Sequence, residues 1–333
     1  MQNLSLLISV VLSITISIFI SNKSYKISSI LELYKKNKDA KKIINRTPLT
    51  GGIIFYLSFL MSAFFLIIYE KNYLINNIYW ICGISFIFFI GLIDDKLQIK
   101  YYLRFFGIFI TLIFMFKYSN ILLIKNLYFE TLDKSLSINN FSLFLTPFFI
   151  LLLINSLNMS DGINGNCGII FIIYFLLLFN KDNNLNFFLF FFTPSLLVFL
   201  IYNLRNKIYL GDSGVYFIST FIALYTLSSY NQNNSDLSCE KIFLVFMIPG
   251  LDMFRLFLVR IINKKNPFAG DLNHFHHLLI KKFSLKASLF IYMTLIVWPH
   301  LFKNFFNVGI LIISNTIFYI FFIIFLKKLN KFS

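Results

Sequence analysis

Two adjacent aspartates, Asp94 and Asp95, end an apolar stretch in the segment Gly91-Leu-Ile-Asp-Asp-Lys96. Neighbouring carboxylates repel each other, so such a pair is costly unless a cation lies beside it. Mg²⁺ is bound in proteins through one or two carboxylates, waters and substrate phosphates. The pair therefore indicates either a magnesium site or a solvated turn after a helix.

A second polar segment, Asn155-Ser-Leu-Asn-Met-Ser-Asp-Gly-Ile-Asn-Gly165, interrupts an apolar run. Its glycines allow unusual backbone angles and a close approach to a ligand. Asparagine side chains can bind a base edge or a sugar hydroxyl. The segment is either an ordinary Asn/Gly loop or a substrate-binding loop, whose candidate residues are Asn155, Asn158, Asp161 and Asn164.

A third motif, Leu210-Gly-Asp-Ser-Gly214, leads into another apolar stretch. Backbone N–H groups at the start of a helix suit a phosphate, and the Asp212 carboxylate can hold the metal that neutralises it. The alternative is that Asp212 only caps the helix.

Three of the four histidines, His274, His276 and His277, lie within four residues. Without a nearby cysteine or an HExxH pattern, zinc is disfavoured, and the surrounding lysines favour pyrophosphate binding. If the stretch is helical, His274 and His277 share a face. The alternative is an amphipathic surface helix with incidental histidines. Arg46, before Thr-Pro-Leu-Thr-Gly-Gly52, is a further candidate cation, although a helix-entry turn explains that segment equally well.

The elements that must position these residues are membrane helices. The 333 residues are 58% hydrophobic and 13% charged, with a mean hydropathy of +0.76, whereas soluble domains carry about 25% charged residues. We predict an all-α, polytopic transmembrane bundle forming one domain over residues 1–333. We predict eleven spans, with ten as the alternative count: 4–22, 51–69, 78–93, 101–119, 141–157, 167–180, 187–203, 214–230, 241–262, 287–302 and 305–326. The fourth is allowed to extend to Ile124. The first 20 residues lack a basic segment and a small-residue cleavage site, so we expect a retained helix.

The +16 net charge is attributed to loops that orient the protein, and no nucleic-acid partner is expected. With alternating loops, 23 of the 30 Lys and Arg residues fall on one side, which the positive-inside tendency places in the cytoplasm. The N-terminus is then outside and the C-terminus cytoplasmic. Six acids on the cytoplasmic side, at or near span ends, are all aspartates, which suit a rigid metal or phosphate site: Asp94, Asp95, Asp161, Asp212, Asp252 and Asp271.

Taken together, the motifs resemble the polyprenyl-phosphate N-acetylhexosamine-1-phosphate transferase superfamily, glycosyltransferase family 4. Members start O-antigen, enterobacterial common antigen and teichoic acid linkage units, or make lipid I. The resemblance runs from about Arg46 to Leu278 in preserved order. The sequence His274-Phe-His-His277 and the preceding pattern Leu251-Asp252-x-x-Arg255 resemble those of the N-acetylglucosaminyl-phosphate transferase branch.

The resemblance implies transfer of a sugar 1-phosphate from a UDP-N-acetylhexosamine to polyprenyl phosphate at the cytoplasmic face of a bacterial inner membrane. It implies Mg²⁺, replaceable by Mn²⁺, held by Asp212 with Asp94 or Asp95, one of which is alternatively a base. It assigns the donor nucleoside or sugar to the polar loop, the pyrophosphate to the histidines, and a substrate cation to Lys42 or Arg46.

Two alternative functions stay open. One is the translocase that forms lipid I from a UDP-muramoyl-pentapeptide, and the other is a nucleotide-sugar or lipid transporter. A transporter favours intramembrane charges in inverted halves, whereas these aspartates gather at one face. The identity of the hexosamine and the oligomeric state, including a homodimer, also stay open.

Overall fold

The computed structural model of the protein describes residues 2–34, 47–69, 71–119, 122–181, 183, 185–232, 237–267 and 271–329. The helices in these residues are α1 (Gln2–Asn22), α2 (Ser24–Leu31), α3 (Gly51–Tyr69), α4 (Lys71–Leu97), α5 (Tyr101–Tyr118), α6 (Ser142–Ser160), α7 (Asn166–Leu178), α8 (Asn186–Leu204), α9 (Gly211–Tyr230), α10 (Cys239–Ile262), α11 (Phe275–Ile280), α12 (Leu285–Leu301) and α13 (Val308–Leu329). Strands β1 (Asn126–Phe129) and β2 (Lys134–Ser137) lie between α5 and α6.

The protein is a helical, polytopic membrane protein. Each of the eleven predicted ranges overlaps one helix, and α2 and α11 are additional short helices. Within the described residues, six helices are long and apolar enough to cross a membrane, and α1 and α2, bent by 68° at their junction, make a seventh if counted as one span. The count of eleven spans and the orientation of the termini stay predictions.

The hairpin of β1 and β2 corrects two expectations. The fold is not purely helical, because β1 and β2 pair antiparallel from Asn126 with Ser137 to Phe129 with Lys134. The fourth span does not extend to Ile124, because α5 ends at Tyr118, where the Ser119 hydroxyl bonds the carbonyl of Met115. Such a short hairpin has little periodic signal of its own. It is held by the Glu240 carboxylate, which accepts the N–H groups of residues 130 and 131.

Helix α9 forms the centre of the bundle. Seventeen of its twenty residues are buried. Helices α3, α4, α6 and α7 pack around it, and α8 contacts it through phenylalanine rings. Phenylalanine rings fill the spaces between these helices: the ring centroids of Phe192 and Phe221 lie 4.6 Å apart, and those of Phe59 and Phe217 lie 5.4 Å apart. Because neighbours enclose α9 on all sides, the backbone that carries Asp212 is held firmly.

Helix α4 approaches the start of α9 closely, and Gly91 permits this approach. A Cβ atom at residue 91 would collide with the backbone of Ser213. Helix α4 also continues beyond the predicted end at residue 93 as far as Leu97. Asp94 and Asp95 therefore lie in its last turn and face the first turn of α9.

Candidate active site

Asp95 links α4 to the start of α9. Its Oδ1 accepts the backbone N–H of Asp212 at 2.7 Å, and its Oδ2 accepts the N–H and the hydroxyl of Ser213 at 3.1 and 2.6 Å. Helix starts leave N–H groups without intrahelical partners, and this carboxylate, 7% exposed, satisfies two of them. Asp95 is therefore engaged as an interhelical cap.

Asp94 has a different environment. Its Oδ2 accepts the guanidinium of Arg104 at 2.9 Å and the hydroxyl of Tyr216 at 3.0 Å. Both bonds go to the same oxygen, so Oδ1 keeps its acceptor capacity within the described part of the chain. The adjacent aspartates thus differ: Asp95 is bonded through both oxygens, and Asp94 through one.

Asp212 is half-buried at the start of α9. Its backbone N–H bonds Asp95. Across the described ranges, no donor bonds its carboxylate. A carboxylate fixed by a rigid backbone but without a donor is suited to a cation.

A cavity of about 280 Å³ brings the motif residues together. Asp94, Asp95 and Asp212 line it from α4 and α9. The last turn of α6 contributes Asn158, and the loop between α6 and α7 contributes Asp161, Gly162, Ile163 and Asn164. Among the described lining residues there are four carboxylates and no lysine, arginine or histidine.

The loop between α6 and α7 is held by the end of α8. The Asn203 side chain accepts the Gly165 N–H at 2.6 Å and donates to the Ile208 carbonyl at 2.9 Å. The Asn164 amide donates to the side chain of Asn206. These bonds fix the substrate-binding candidates relative to α9.

Asn155 lies apart from the cavity lining. It is on α6, and its amide donates to the carbonyl of Leu151 at 2.9 Å, one turn earlier in the same helix. The structure therefore places Asn158, Asp161 and Asn164 in the cavity lining. The Asn155 side chain instead bonds the backbone of its own helix, α6.

The segment before α3 forms another wall. Gly51 and Gly52 donate backbone hydrogen bonds to the carbonyls of Tyr209 and Leu210 at 2.9 and 3.0 Å, and the Tyr209 N–H donates to the Pro48 carbonyl at 2.8 Å. Tyr34 and Leu49 line the cavity on this side. The predicted cations Lys42 and Arg46 lie outside the described residues.

The histidine motif lies behind the loop and is absent from the described cavity lining. A Cβ at Gly162 would collide with His276 Nε2 and would lie 2.7 Å from His277 Nε2. The missing side chain at residue 162 therefore permits contact between the loop and the motif. The motif adjoins the cavity wall that Gly162 forms.

The expected helical face shared by His274 and His277 is wrong. Helix α11 begins at Phe275, and His274 precedes it with extended backbone angles. The ring of His274 instead stacks on His276, with centroids 5.5 Å apart. His276 is 1% exposed, and neither ring nitrogen has a hydrogen-bond partner among the residues that the structure describes. Burial, with His277 and His274 adding to its effect, lowers the pKa of His276 to about 3.

Comparison with known proteins matches the part of the chain that contains the cavity aspartates. The family model for glycosyl transferase family 4 matches residues 77–230. The undecaprenyl-phosphate alpha-N-acetylglucosaminyl 1-phosphate transferase of Escherichia coli O157:H7 is 25% identical over 299 residues, 87% of this chain and 79% of that protein. Over residues 77–230 the chain is similar to glycosyl transferase family 4.

Relatives of the same name occur in other bacteria. The Salmonella typhi protein is 27% identical over 307 residues, covering 88% of this chain and 80% of that protein. The Thermotoga maritima protein is 24% identical over 280 residues, covering 80% of this chain and 82% of that protein. The matched region contains the described cavity aspartates and ends before Asp252 and the histidines.

The six aspartates that the sequence grouped form two sets in the structure. Four line the cavity, whereas Asp252 and Asp271 hold the histidine segment. Burial tends to raise the pKa of Asp271, but the Asn273 N–H and the Arg260 guanidinium outweigh it and lower the pKa below its usual range. The six aspartates therefore do not share one cavity in the described structure.

Three cavity-side contacts were missed by reasoning from the sequence. Arg104 and Tyr216 bond Asp94, and Asn203 bonds the loop. Tyr216 lies four residues after Asp212, and that spacing on a helix was an available signal. The contacts of Arg104 and Asn203 depend on how separate helices pack and had no local signal.

The residues fit a magnesium ion that is shared with a substrate. Among the described residues, no group of three His, Cys, Asp or Glu side chains lies close enough to enclose a metal alone. Mg²⁺ usually keeps several waters and takes one or two carboxylates together with substrate phosphates. Asp212 and Asp94 both line the cavity, so their carboxylates are the residues that could hold such an ion.

Proposed function

We propose that this protein transfers an N-acetylhexosamine 1-phosphate from a UDP-N-acetylhexosamine to undecaprenyl phosphate, or a similar polyprenyl phosphate. The products are a polyprenyl-diphosphate sugar and UMP. The curated relatives support the acceptor and the sugar through their name, undecaprenyl-phosphate alpha-N-acetylglucosaminyl 1-phosphate transferase. We place the reaction at the cytoplasmic face of a bacterial inner membrane, where the basic loops are predicted to lie.

The main support for the proposal is the negative charge of the cavity lining. Four aspartates line the cavity, and its described lining has no cationic side chain. Such a wall repels the phosphates of both substrates unless a cation intervenes. Asp212 and Asp94 are positioned to hold Mg²⁺, which when bound neutralises phosphate charge. The acidic cavity is then a site for phosphate groups.

The reaction needs positioning more than a strong base. An oxygen of the acceptor phosphate forms a bond to the β-phosphorus of the donor. The bond from that phosphorus to the bridging oxygen breaks, and UMP leaves with the oxygen and its electron pair. A phosphate monoester is already anionic near neutral pH, so no proton must be removed first. Holding the reacting groups in line supplies much of the rate.

The described residues divide these tasks. Asp95 holds the backbone of Asp212 in place, and Arg104 and Tyr216 orient Asp94. In this proposal the sugar or nucleoside of the donor is bound by Asn158, Asp161 and Asn164, which line the cavity. The histidines adjoin the loop between α6 and α7 at Gly162. In this proposal they bind the pyrophosphate of the donor.

The direct test uses purified protein, polyprenyl phosphate, Mg²⁺ and a panel of UDP-sugars. UMP release and the lipid product are followed together. We expect both products with UDP-N-acetylglucosamine or a related N-acetylhexosamine donor. Product only from UDP-muramoyl-pentapeptide would replace this proposal with lipid I formation, and transport of intact donor without UMP would replace it with a carrier.

A further inference from the structure

A buried cluster around Asp252 joins the histidine segment to two long helices. Asp252, in α10, is 4% exposed. Its Oδ2 lies 3.0 Å from Nδ1 of His274, and both of its oxygens accept the N–H of Phe275, at 3.2 and 3.1 Å. One carboxylate thus fixes both the first imidazole of the motif and the start of α11.

Tyr319 of α13 completes this cluster. Its hydroxyl donates to Asp252 Oδ1 at 2.8 Å and accepts from Nε of Arg255 at 2.9 Å. Its ring meets that of Phe275 edge-on, with centroids 5.5 Å apart. Arg255 also donates to Asp252 Oδ1 and to the carbonyl of Asn273, both at 2.7 Å. The last helix therefore contacts the histidine segment directly through the Tyr319 ring, and its hydroxyl bonds Asp252, which holds that segment.

Asp252 and Tyr319 are both buried and lie well away from the ends of their helices. Asp252 is ten residues before the end of α10, and Tyr319 is ten residues before the end of α13. At 1.5 Å per residue, each lies about 15 Å along its helix from that end. Ionisable groups at such depth are costly unless paired, and they mark functional sites. The Tyr319 hydroxyl is one of the groups that offset the cost of burying Asp252.

We propose that Tyr319 is a positioning residue for donor binding. It acts through Asp252, which orients His274 and fixes the start of α11. When Nδ1 of His274 donates to Asp252, Nε2 is the ring nitrogen left for another partner. Tyr319 lies beyond the matched family region, residues 77–230, and its sequence context is an apolar run with no motif. The claim that Tyr319 affects donor binding rests on the proposed function. The claim that Tyr319 anchors the histidine segment does not.

Tyr319→Phe tests the role because it keeps the ring and removes only the hydroxyl. Tyr292→Phe is the matched control: Tyr292 is 1% exposed and its ring also packs on Phe275, with centroids 5.7 Å apart. Its hydroxyl lies 3.2 Å from Ser160 Oγ and is not bonded to Asp252. The two variants therefore separate loss of the Asp252 bond from loss of a buried hydroxyl beside Phe275.

Two measurements are made on the purified full-length protein. The first is backbone hydrogen exchange across residues 271–280. The second is KM for UDP-N-acetylglucosamine and for polyprenyl phosphate. For Tyr319→Phe we expect faster exchange and a donor KM raised about ten-fold, as for one lost hydrogen bond to a charged group, with an unchanged acceptor KM. For Tyr292→Phe we expect wild-type exchange in that segment and a wild-type donor KM.

Wild-type exchange of residues 271–280 in Tyr319→Phe would overturn the proposal, whether or not the protein transfers sugar phosphate. A lower kcat with both KM values unchanged would also overturn it, because that is the result of a smaller folded fraction. If the wild-type protein releases no UMP, the proposed function fails by itself, and the exchange comparison still decides whether Tyr319 anchors the segment.

Discussion

The carboxylate of Asp95 accepts the backbone N–H of Asp212 at 2.7 Å, across 117 positions of sequence. The last turn of α4 thereby caps the first turn of α9. Two motifs that are separate in the sequence become one unit, in which one aspartate holds the backbone of another. The proposed metal ligand, Asp212, therefore depends on a residue that does not need to touch the metal.

Asp95→Asn should lower both stability and the transfer rate. An amide has one acceptor oxygen, whereas the Asp95 carboxylate accepts three hydrogen bonds through two. We expect a loss of about 1–3 kcal/mol in stability, the usual cost of leaving a buried group unsatisfied. The thermal unfolding midpoint in detergent and the rate of UMP release check this.

Asp133→Asn is the control for Asp95→Asn, because Asp133 is an exposed residue of the hairpin turn that accepts only a long 3.3 Å bond from Tyr128. This substitution should leave the thermal unfolding midpoint and the rate of UMP release unchanged. An Asp95→Asn protein with the wild-type midpoint and rate would show that the interhelical cap is dispensable.

Gly162→Ala should impair the enzyme through the histidine motif. The added Cβ collides with His276 Nε2, and both the loop and α11 are tightly held. We expect a transfer rate at least ten-fold lower, because a displacement of about 1 Å at a reacting site can cost two orders of magnitude. Transfer assays at saturating and limiting donor check this.

Gly250→Ala is the matched control, because a Cβ at Gly250 would have no atom of another described segment within 4 Å. Gly250 lies inside α10, where alanine favours the helix by about 1 kcal/mol. This variant should keep its activity and be at least as stable as the wild type. Equal activity of the Gly162→Ala and Gly250→Ala proteins would contradict the close contact between the loop and the histidines.

His276 should make the protein less stable as the pH falls. Burial lowers the pKa of His276 from 6.5 to about 3 in the folded protein. Between these values the unfolded chain binds a proton that the folded protein does not, so stability rises with pH across that window. The slope is at most about 1.4 kcal/mol per pH unit.

Thermal unfolding of the wild type and of His276→Gln from pH 8 to pH 5 measures this effect. Glutamine is neutral throughout, so the variant should lose less stability on acidification. The difference at pH 8, where both side chains are neutral, calibrates the cost of the substitution itself. Parallel curves for the two proteins would contradict a buried, neutral His276.

Residue types and periodicity were enough to place eleven apolar helices and to select Asp94, Asp95 and Asp212. They were not enough to separate the roles of these residues, because Asp95 is distinguished from Asp94 only by the neighbouring helix that it meets. The hairpin was missed because β1 and β2 are four residues each and are held by Glu240, more than 100 residues away.

The histidine segment shows a second limit. Its composition indicated a phosphate-binding motif, but the backbone turn at His274 depends on Asp252, 22 residues earlier, and on Tyr319 in the last helix. No local pattern connects these three residues. The extension of α4 through Asp94 and Asp95 was missed for a related reason, since partners on α5 and α9 compensate charges that otherwise disfavour an apolar helix.

The most direct test of the account is the Mg²⁺-dependent release of UMP from UDP-N-acetylglucosamine by the wild type and by Asp212→Asn, with polyprenyl phosphate as acceptor. The wild type should need Mg²⁺ or Mn²⁺ and lose activity on chelation. Asp212→Asn keeps the side-chain shape but removes the charge, so its rate should be at least about 100-fold lower, whereas Asp133→Asn should match the wild type. Near-wild-type turnover of Asp212→Asn in saturating Mg²⁺ would contradict the assignment of this cavity as the site of transfer.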